Sequence, residues 1–266
     1  MLSNLHTHST YCDGKNTLEE IVLEAINKGF VSIGFSGHGY TAFDFTYCMK
    51  DTDGYIAELK VLREKYKDKI EIYIGVEEDA FYSLQREKFD YIIGSSHYFR
   101  IGDKYYPVDS NPECFKKCLE AFDFDVLRLT NTYYSAFCDY ILKRKPDIIG
   151  HFDLITKFDE MDKSLFLANK DYLALSEKYF KEAMKSDCIF EVNTGAISRG
   201  YRTLPYPNEN LLHILKKEGG RVTISSDSHS KETIDFRFKE TRALLKDIGF
   251  QHTYILYNNE FVKDYL

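Results

Sequence analysis

Short apolar runs alternate with amphipathic stretches along the whole chain. Val31-Ser32-Ile33-Gly34-Phe35, Ile70-Glu71-Ile72-Tyr73-Ile74, Asp90-Tyr91-Ile92-Ile93, Asp147-Ile148-Ile149, Cys188-Ile189-Phe190-Glu191-Val192, Val222-Thr223-Ile224 and Thr253-Tyr254-Ile255-Leu256-Tyr257 are rich in β-branched and aromatic residues and read as strands. An earlier short strand ends at His6 and His8. Helical patterns cover Thr17 to Lys28, Tyr55 to Tyr66, Asn111 to Lys143 with at least one break, Asn169 to Lys185, Asn208 to Lys217 and Phe236 to Lys246. Thr17-Leu18-Glu19-Glu20 is a capping box that opens the first of them. Near-continuous apolar strands alternating with helices predict an α/β fold with a parallel sheet. Seven or eight such units predict a barrel, or a distorted one, over an open doubly wound sheet. No GxGxxG or GxxxxGKS/T follows the first strand, which removes the usual reason to expect a nucleotide-binding sheet. With no internal repeat, low-complexity segment or Pro/Gly linker, residues 1–266 are expected to form one domain.

The same pattern places the chemistry. Of the 8 histidines, His6, His8, His38, His97, His151 and His229 follow apolar strand-like runs, and the acids Asp13, Glu77 and Asp227 are set among them. In a parallel barrel every C-terminal strand end opens onto one face, so residues far apart in the chain can meet there. An H-x-H at a strand end suits a metal site, since residues i and i+2 point to the same side. Imidazole and carboxylate are ligands of borderline divalent metals. This many donors exceeds what one tetrahedral ion uses, so two or three ions are expected. Each piece alone has an ordinary structural reading: a surface H-x-H pair, an N-capping Asp227-Ser228 turn, a solvated Glu77-Glu78-Asp79 run. Their concurrence at one topological end weighs against those readings. His213 and His252 fall outside the pattern and are read as helix surface and pre-strand loop.

Bulk properties narrow the partners. Lys+Arg 35 against Asp+Glu 42 leaves a formal charge of −7, which argues against nucleic acid or an anionic membrane surface. Met1-Leu2-Ser3-Asn4-Leu5 has neither a basic segment nor an apolar core, so no secretory signal is expected. No apolar run approaches the roughly 20 residues of a membrane span. The 6 cysteines form no CxxC pair and read as free thiols, consistent with a reducing cytoplasm.

The ordered motifs resemble the PHP (polymerase and histidinol phosphatase) family, and within it the histidinol-phosphatase branch. They are His6-Thr7-His8-Ser9 with Asp13-Gly14, Gly37-His38, Gly75-Val76-Glu77, Gly94-Ser95-Ser96-His97, Ile149-Gly150-His151-Phe152-Asp153, Phe190-Glu191-Val192-Asn193-Thr194 and Ser226-Asp227-Ser228-His229. The resemblance implies a distorted (β/α)7 TIM-like barrel with three divalent ions, zinc, manganese or iron, at its C-terminal face. It implies that His6, His8, Glu77 and Asp227 hold one ion. Glu77 would bridge to a second, held also by His97 and His151, and Asp13, His38 and His229 would hold the third.

The implied reaction is hydrolysis of L-histidinol phosphate to L-histidinol and phosphate, in histidine biosynthesis. A metal-bridging hydroxide would attack a phosphorus whose charge the ions neutralise. Asp227 and His229 are the catalytic candidates, with Asp227 or a bound water supplying the leaving-group proton. Arg199 is the candidate phosphate clamp, since a guanidinium matches two phosphate oxygens at once, and Lys157 is a second candidate. Tyr98, Phe99 and Tyr106 are available to an imidazole. Two alternatives stand beside this reading. One is another phosphoesterase on the same scaffold: a nucleotide or phosphotyrosine phosphatase, or a 3′–5′ exonuclease. The other is a metal-binding regulator without activity.

Overall fold

The computed structural model describes residues 1–161 and 165–266. Its strands, in chain order, are β1 (Ser3–Asn4), β2 (Ser32–Phe35), β3 (Glu71–Asp79), β4 (Tyr91–Ser95), β5 (Tyr98–Ile101), β6 (Lys104–Pro107), β7 (Ile148–Ile149), β8 (Ile189–Asn193), β9 (Arg221–Ser225), β10 (His252–Tyr257) and β11 (Glu260–Tyr265). The helices are α1 (Leu18–Asn27), α2 (Thr52–Tyr66), α3 (Pro112–Glu120), α4 (Val126–Arg144), α5 (Lys170–Met184), α6 (Gly195–Ser198), α7 (Glu209–Lys217) and α8 (Phe238–Ile248). Seven strands pair in parallel in the order β1-β2-β3-β4-β7-β8-β9. A parallel bridge from Thr7 to Ser228 then brings the two ends of that sheet together, with His8 N donating to Ser228 O at 2.8 Å. The fold is the expected α/β barrel of seven strands.

Alternation along β3 shows how the sequence builds it. Tyr73, Gly75, Glu77 and Asp79 point into the barrel, while Ile72, Ile74 and Val76 join the outer core packed by α1 and α2. Tyr91 of β4 crosses the interior so that its hydroxyl donates to Leu5 O, just past β1. The crossing is open only because positions 34 and 75 are glycine: a Cβ at Gly75 would lie 2.2 Å from Tyr91 Cζ. Below it Leu5, Ile93, Ile148 and Ile189 close the floor together with Leu256 from the last hairpin. A second outer core, under α3, α4, α5, α7 and α8, covers the other half of the ring.

Two features depart from the sequence reading. The run ending at Tyr257 is antiparallel to β11 and plugs the floor, so it is no eighth barrel strand, and His252 begins it. After His97 the chain forms the antiparallel hairpin β5–β6, which carries the rim of the mouth. The long helical stretch breaks into α3 and α4, as its pattern predicts, and the capping box of Thr17 and Glu20 is formed. All six cysteines are free. Among the described residues, no helix is long and apolar enough to cross a membrane.

Candidate metal centre

Glu77 lies at the middle of the mouth, 2% exposed, because β3 continues past Ile74 and carries it inward. Its Oε2 is 2.8 Å from His38 Nδ1 and 3.2 Å from His6 Nε2, and its Oε1 is 2.9 Å from His151 Nε2 and 3.3 Å from His97 Nε2. Four strand ends thus supply imidazoles to one carboxylate. His8 and Asp227 approach along the seam of the barrel, with His8 Nε2 3.1 Å from Asp227 Oδ1. Asp13 completes the set at the rim, 3.3 Å from His229 Nε2 and 3.7 Å from His38 Nε2. Donor atoms fall into four overlapping groups: His8, Asp13, His38 and His229; His6, Glu77 and His151; His6, His8 and Asp227; His38, Glu77 and His97. Every one of the candidate ligands is in at least one group. His6, His8, His38 and Glu77 each belong to two of these groups, so the groups share members.

The donor set fits divalent cations. His6 Nε2, His8 Nε2 and Glu77 Oε2 are fully buried without a hydrogen-bond partner, an arrangement that costs free energy unless something binds them. Burial, helped by the neighbouring imidazoles of His229 and His38, drives the His8 pKa down to about 3, so its nitrogen lone pair is available at neutral pH. Against the cost of burial, His6, His97 and His38 hold the Glu77 carboxyl well below its usual range. Arg199 and His6 do the same for Asp227. Against the cost of burial, Glu191 and Glu77 hold His6, and Glu77 and Asp79 hold His97, well above the ordinary imidazole value, so a cation bound there would displace their protons.

Around this centre opens a cavity of about 370 Å³, lined among others by Asp44, Tyr47, Tyr98, Asp109, Lys157 and Arg199. Arg199 follows α6 and faces Asp227, its Nη2 3.0 Å from Asp227 Oδ2 and its Nη1 3.0 Å from Asp227 O and 3.3 Å from His229 Nδ1. Lys157 also reaches the cavity, but its ammonium is held by Asp109, through the carbonyl at 2.7 Å and Oδ2 at 3.3 Å. Tyr98 lines the mouth, bonded to Asp44 Oδ2 at 2.7 Å, whereas Phe99 is buried in the outer core with Tyr106 stacked upon it. His213 is exposed on α7, 3.5 Å from Glu209.

Sequence reasoning gave no role to Glu191, Asp79 or Asp109. Glu191 lies under the cluster, its Oε1 2.5 Å from His6 Nδ1. Asp79 accepts from the His97 amide and lies 3.3 Å from His97 Nδ1. Their inward register was available, since Glu191 shares its face of the strand with Asn193 and Asp79 shares its face with Glu77. The run Glu77-Glu78-Asp79 is no solvated stretch: all three are buried, and Glu78 points outward to Arg144 Nε at 2.7 Å and Tyr140 OH at 2.7 Å.

Residues 4–195 match the PHP domain, a segment that leaves Asp227 and His229 outside. A fission yeast protein, Schizosaccharomyces pombe, named a probable histidinol-phosphatase, is 30% identical over 92% of this chain and 86% of its own length. The histidinol-phosphatase of Bacillus subtilis is 23% identical over 88% of this chain and 96% of its own. In structure, the histidinol phosphate phosphatase of Lactococcus lactis, solved with zinc, L-histidinol and phosphate, superposes with a TM-score of 0.73 at 23% identity, covering 98% of both chains. With a PHP domain over most of its length and the same barrel beneath it, this chain belongs to the PHP family and resembles the histidinol-phosphatases within it.

Proposed function

We propose that this protein hydrolyses L-histidinol phosphate to L-histidinol and phosphate, as a phosphomonoester hydrolase dependent on divalent ions. One observation carries the reading. The mouth gathers six imidazoles and the carboxylates of Asp13, Glu77 and Asp227 beside Arg199, in a cavity that also holds Asp44 and Asp109. The relatives named above support it. Residues 1–266 would act as one metallohydrolase domain.

His6, His8, Glu77 and Asp227 would hold one ion, Glu77 with His97 and His151 a second, and Asp13, His38 and His229 a third; zinc, manganese and iron all suit these ligands. When bound, such ions neutralise phosphoryl oxygens and bring the pKa of water toward about 7. The chain's own groups do the rest. Arg199 places a guanidinium, paired to Asp227 at one edge and partly open to the cavity, where phosphate oxygens would be held. Asp227, whose Oδ1 lies 3.6 Å from His229 Nδ1, or a water bound beside it would supply the proton to the departing alkoxide. Asp44 and Asp109, with the rings of Tyr47 and Tyr98, give the outer cavity acidic and aromatic character. That character suits a cationic amine and an imidazole and disfavours a polyanion, which separates this reading from the nucleotide and exonuclease alternatives.

The test is phosphate release from L-histidinol phosphate by purified protein, with elemental analysis of the same sample. Release with bound divalent metal is expected. A strong preference for 2′-deoxynucleotides or phosphotyrosine would replace the substrate. Absence of release from any phosphomonoester by metal-replete protein would leave only a metal-binding role.

A further inference from the structure

Glu191 is buried on β8, 1% exposed, and does not line the mouth cavity. Three of its four hydrogen-bonding contacts are donors, and the fourth is a ring nitrogen of His6. His6 Nδ1, at 2.5 Å, and Ser225 Oγ approach Oε1; the His151 amide at 2.8 Å and Asn193 Nδ2 at 2.9 Å approach Oε2. Asn193 cannot turn its amide over without loss, because its Oδ1 accepts from Gly195 N at 2.8 Å, at the start of the helix that leads to Arg199. An ionised carboxylate accepts at both oxygens and donates at neither. An ionised Glu191 therefore takes the Nδ1 proton of His6, which leaves Nε2, 3.2 Å from Glu77, as the nitrogen that can bind a cation in the cluster. Asp79 repeats the device on β3. Its Oδ2 lies 3.1 Å from the His97 amide and 3.3 Å from His97 Nδ1, which leaves His97 Nε2 facing Glu77 Oε1.

We infer that Glu191 and Asp79 are positioning residues that fix the tautomers of His6 and His97, so that both enter the metal cluster through Nε2. They act on different members, since His6 groups with His8 and Asp227 or with Glu77 and His151, and His97 groups with His38 and Glu77. The inference rests on the reading that this cluster holds divalent ions. A glutamine at position 191 fails in either orientation. Its NH2 in place of Oε1 forces His6 to accept at Nδ1 and carry its proton at Nε2, where it cannot ligate. In place of Oε2 the NH2 meets the His151 amide and the locked Asn193 amide.

Zinc titration of the full-length protein against a chromophoric chelator tests this. Glu191→Gln and Asp79→Asn are each expected to weaken one class of zinc site by about 10–100-fold, and Glu191→Asp to recover part of the loss. Unchanged zinc affinity in both amide variants would overturn the inference. Should Glu191→Gln not fold, ¹⁵N-histidine NMR of the zinc-loaded wild type decides instead. Protonated Nδ1 with zinc-shifted Nε2 on His6 and His97 is expected, and the reverse pattern on His6 overturns it. Wild-type protein that takes up no divalent ion would overturn the metal-centre reading itself, and the inference with it.

Discussion

Asp227 divides its carboxylate between two kinds of partner: Oδ1 lies 3.1 Å from His8 Nε2, inside the cluster, and Oδ2 lies 3.0 Å from Arg199 Nη2, on the cavity side. The guanidinium is thereby held next to the place where a phosphoryl group would meet the ions, and its position is tied to a candidate ligand.

Arg199→Ala should raise KM for L-histidinol phosphate about 10–100-fold, the loss of one or two charge-assisted hydrogen bonds. Bound metal should remain, since Asp227 keeps Oδ1 toward the imidazoles. Lys157→Ala should change KM by no more than about threefold, because its ammonium already serves Asp109. Steady-state kinetics with metal analysis on the same preparations decides both, and an unaltered KM in Arg199→Ala would remove that residue from the site.

Chelation should abolish phosphate release and lower the thermal midpoint on the order of 10 °C, with recovery on adding zinc or manganese. The stability loss follows from the buried, partnerless His6 Nε2, His8 Nε2 and Glu77 Oε2. A thermal melt identical with and without chelator would mean that the cluster gains nothing from ions.

Gly75→Ala should destabilise by about 1–3 kcal/mol or more, because the new methyl overlaps the Tyr91 ring, and Tyr91 is anchored to Leu5 O and cannot swing aside cheaply. Denaturant unfolding of the metal-loaded variant measures it. Wild-type stability would show that the ring does not fill the barrel at that level.

Much of the site was legible because ligands at strand ends obey topology. His6, His38, His97, His151 and Asp227 follow apolar runs, and parallel strands deliver such positions to one mouth. Glu77 is expected beyond the end of the third apolar run, whereas in the fold it lies within β3 and is kept inward by alternation. What the sequence hid were groups defined only by three-dimensional partners. Glu191 belongs to a motif of the resemblance, but it has no role to read until His6 is brought to it from the far end of the chain. Lys157 looks like a free cation until Asp109 is seen to hold it. Phe99 and Tyr98 are neighbours with opposite fates, because adjacent residues of a hairpin face opposite sides. The last strand-like run carried no mark to distinguish a floor plug from a barrel stave, since burial on one face asks for the same residue types in both.

The Thr7–Ser228 bridge has a consequence in time as well as space. His6 and His8 flank one half of that seam and Asp227 and His229 the other, so part of the ion-binding constellation exists only after the earliest and latest strands of the ring have met. A nascent chain still lacking β9 can offer at most an incomplete nest of donors. Binding that draws on both halves of the seam would therefore wait for the ring to close.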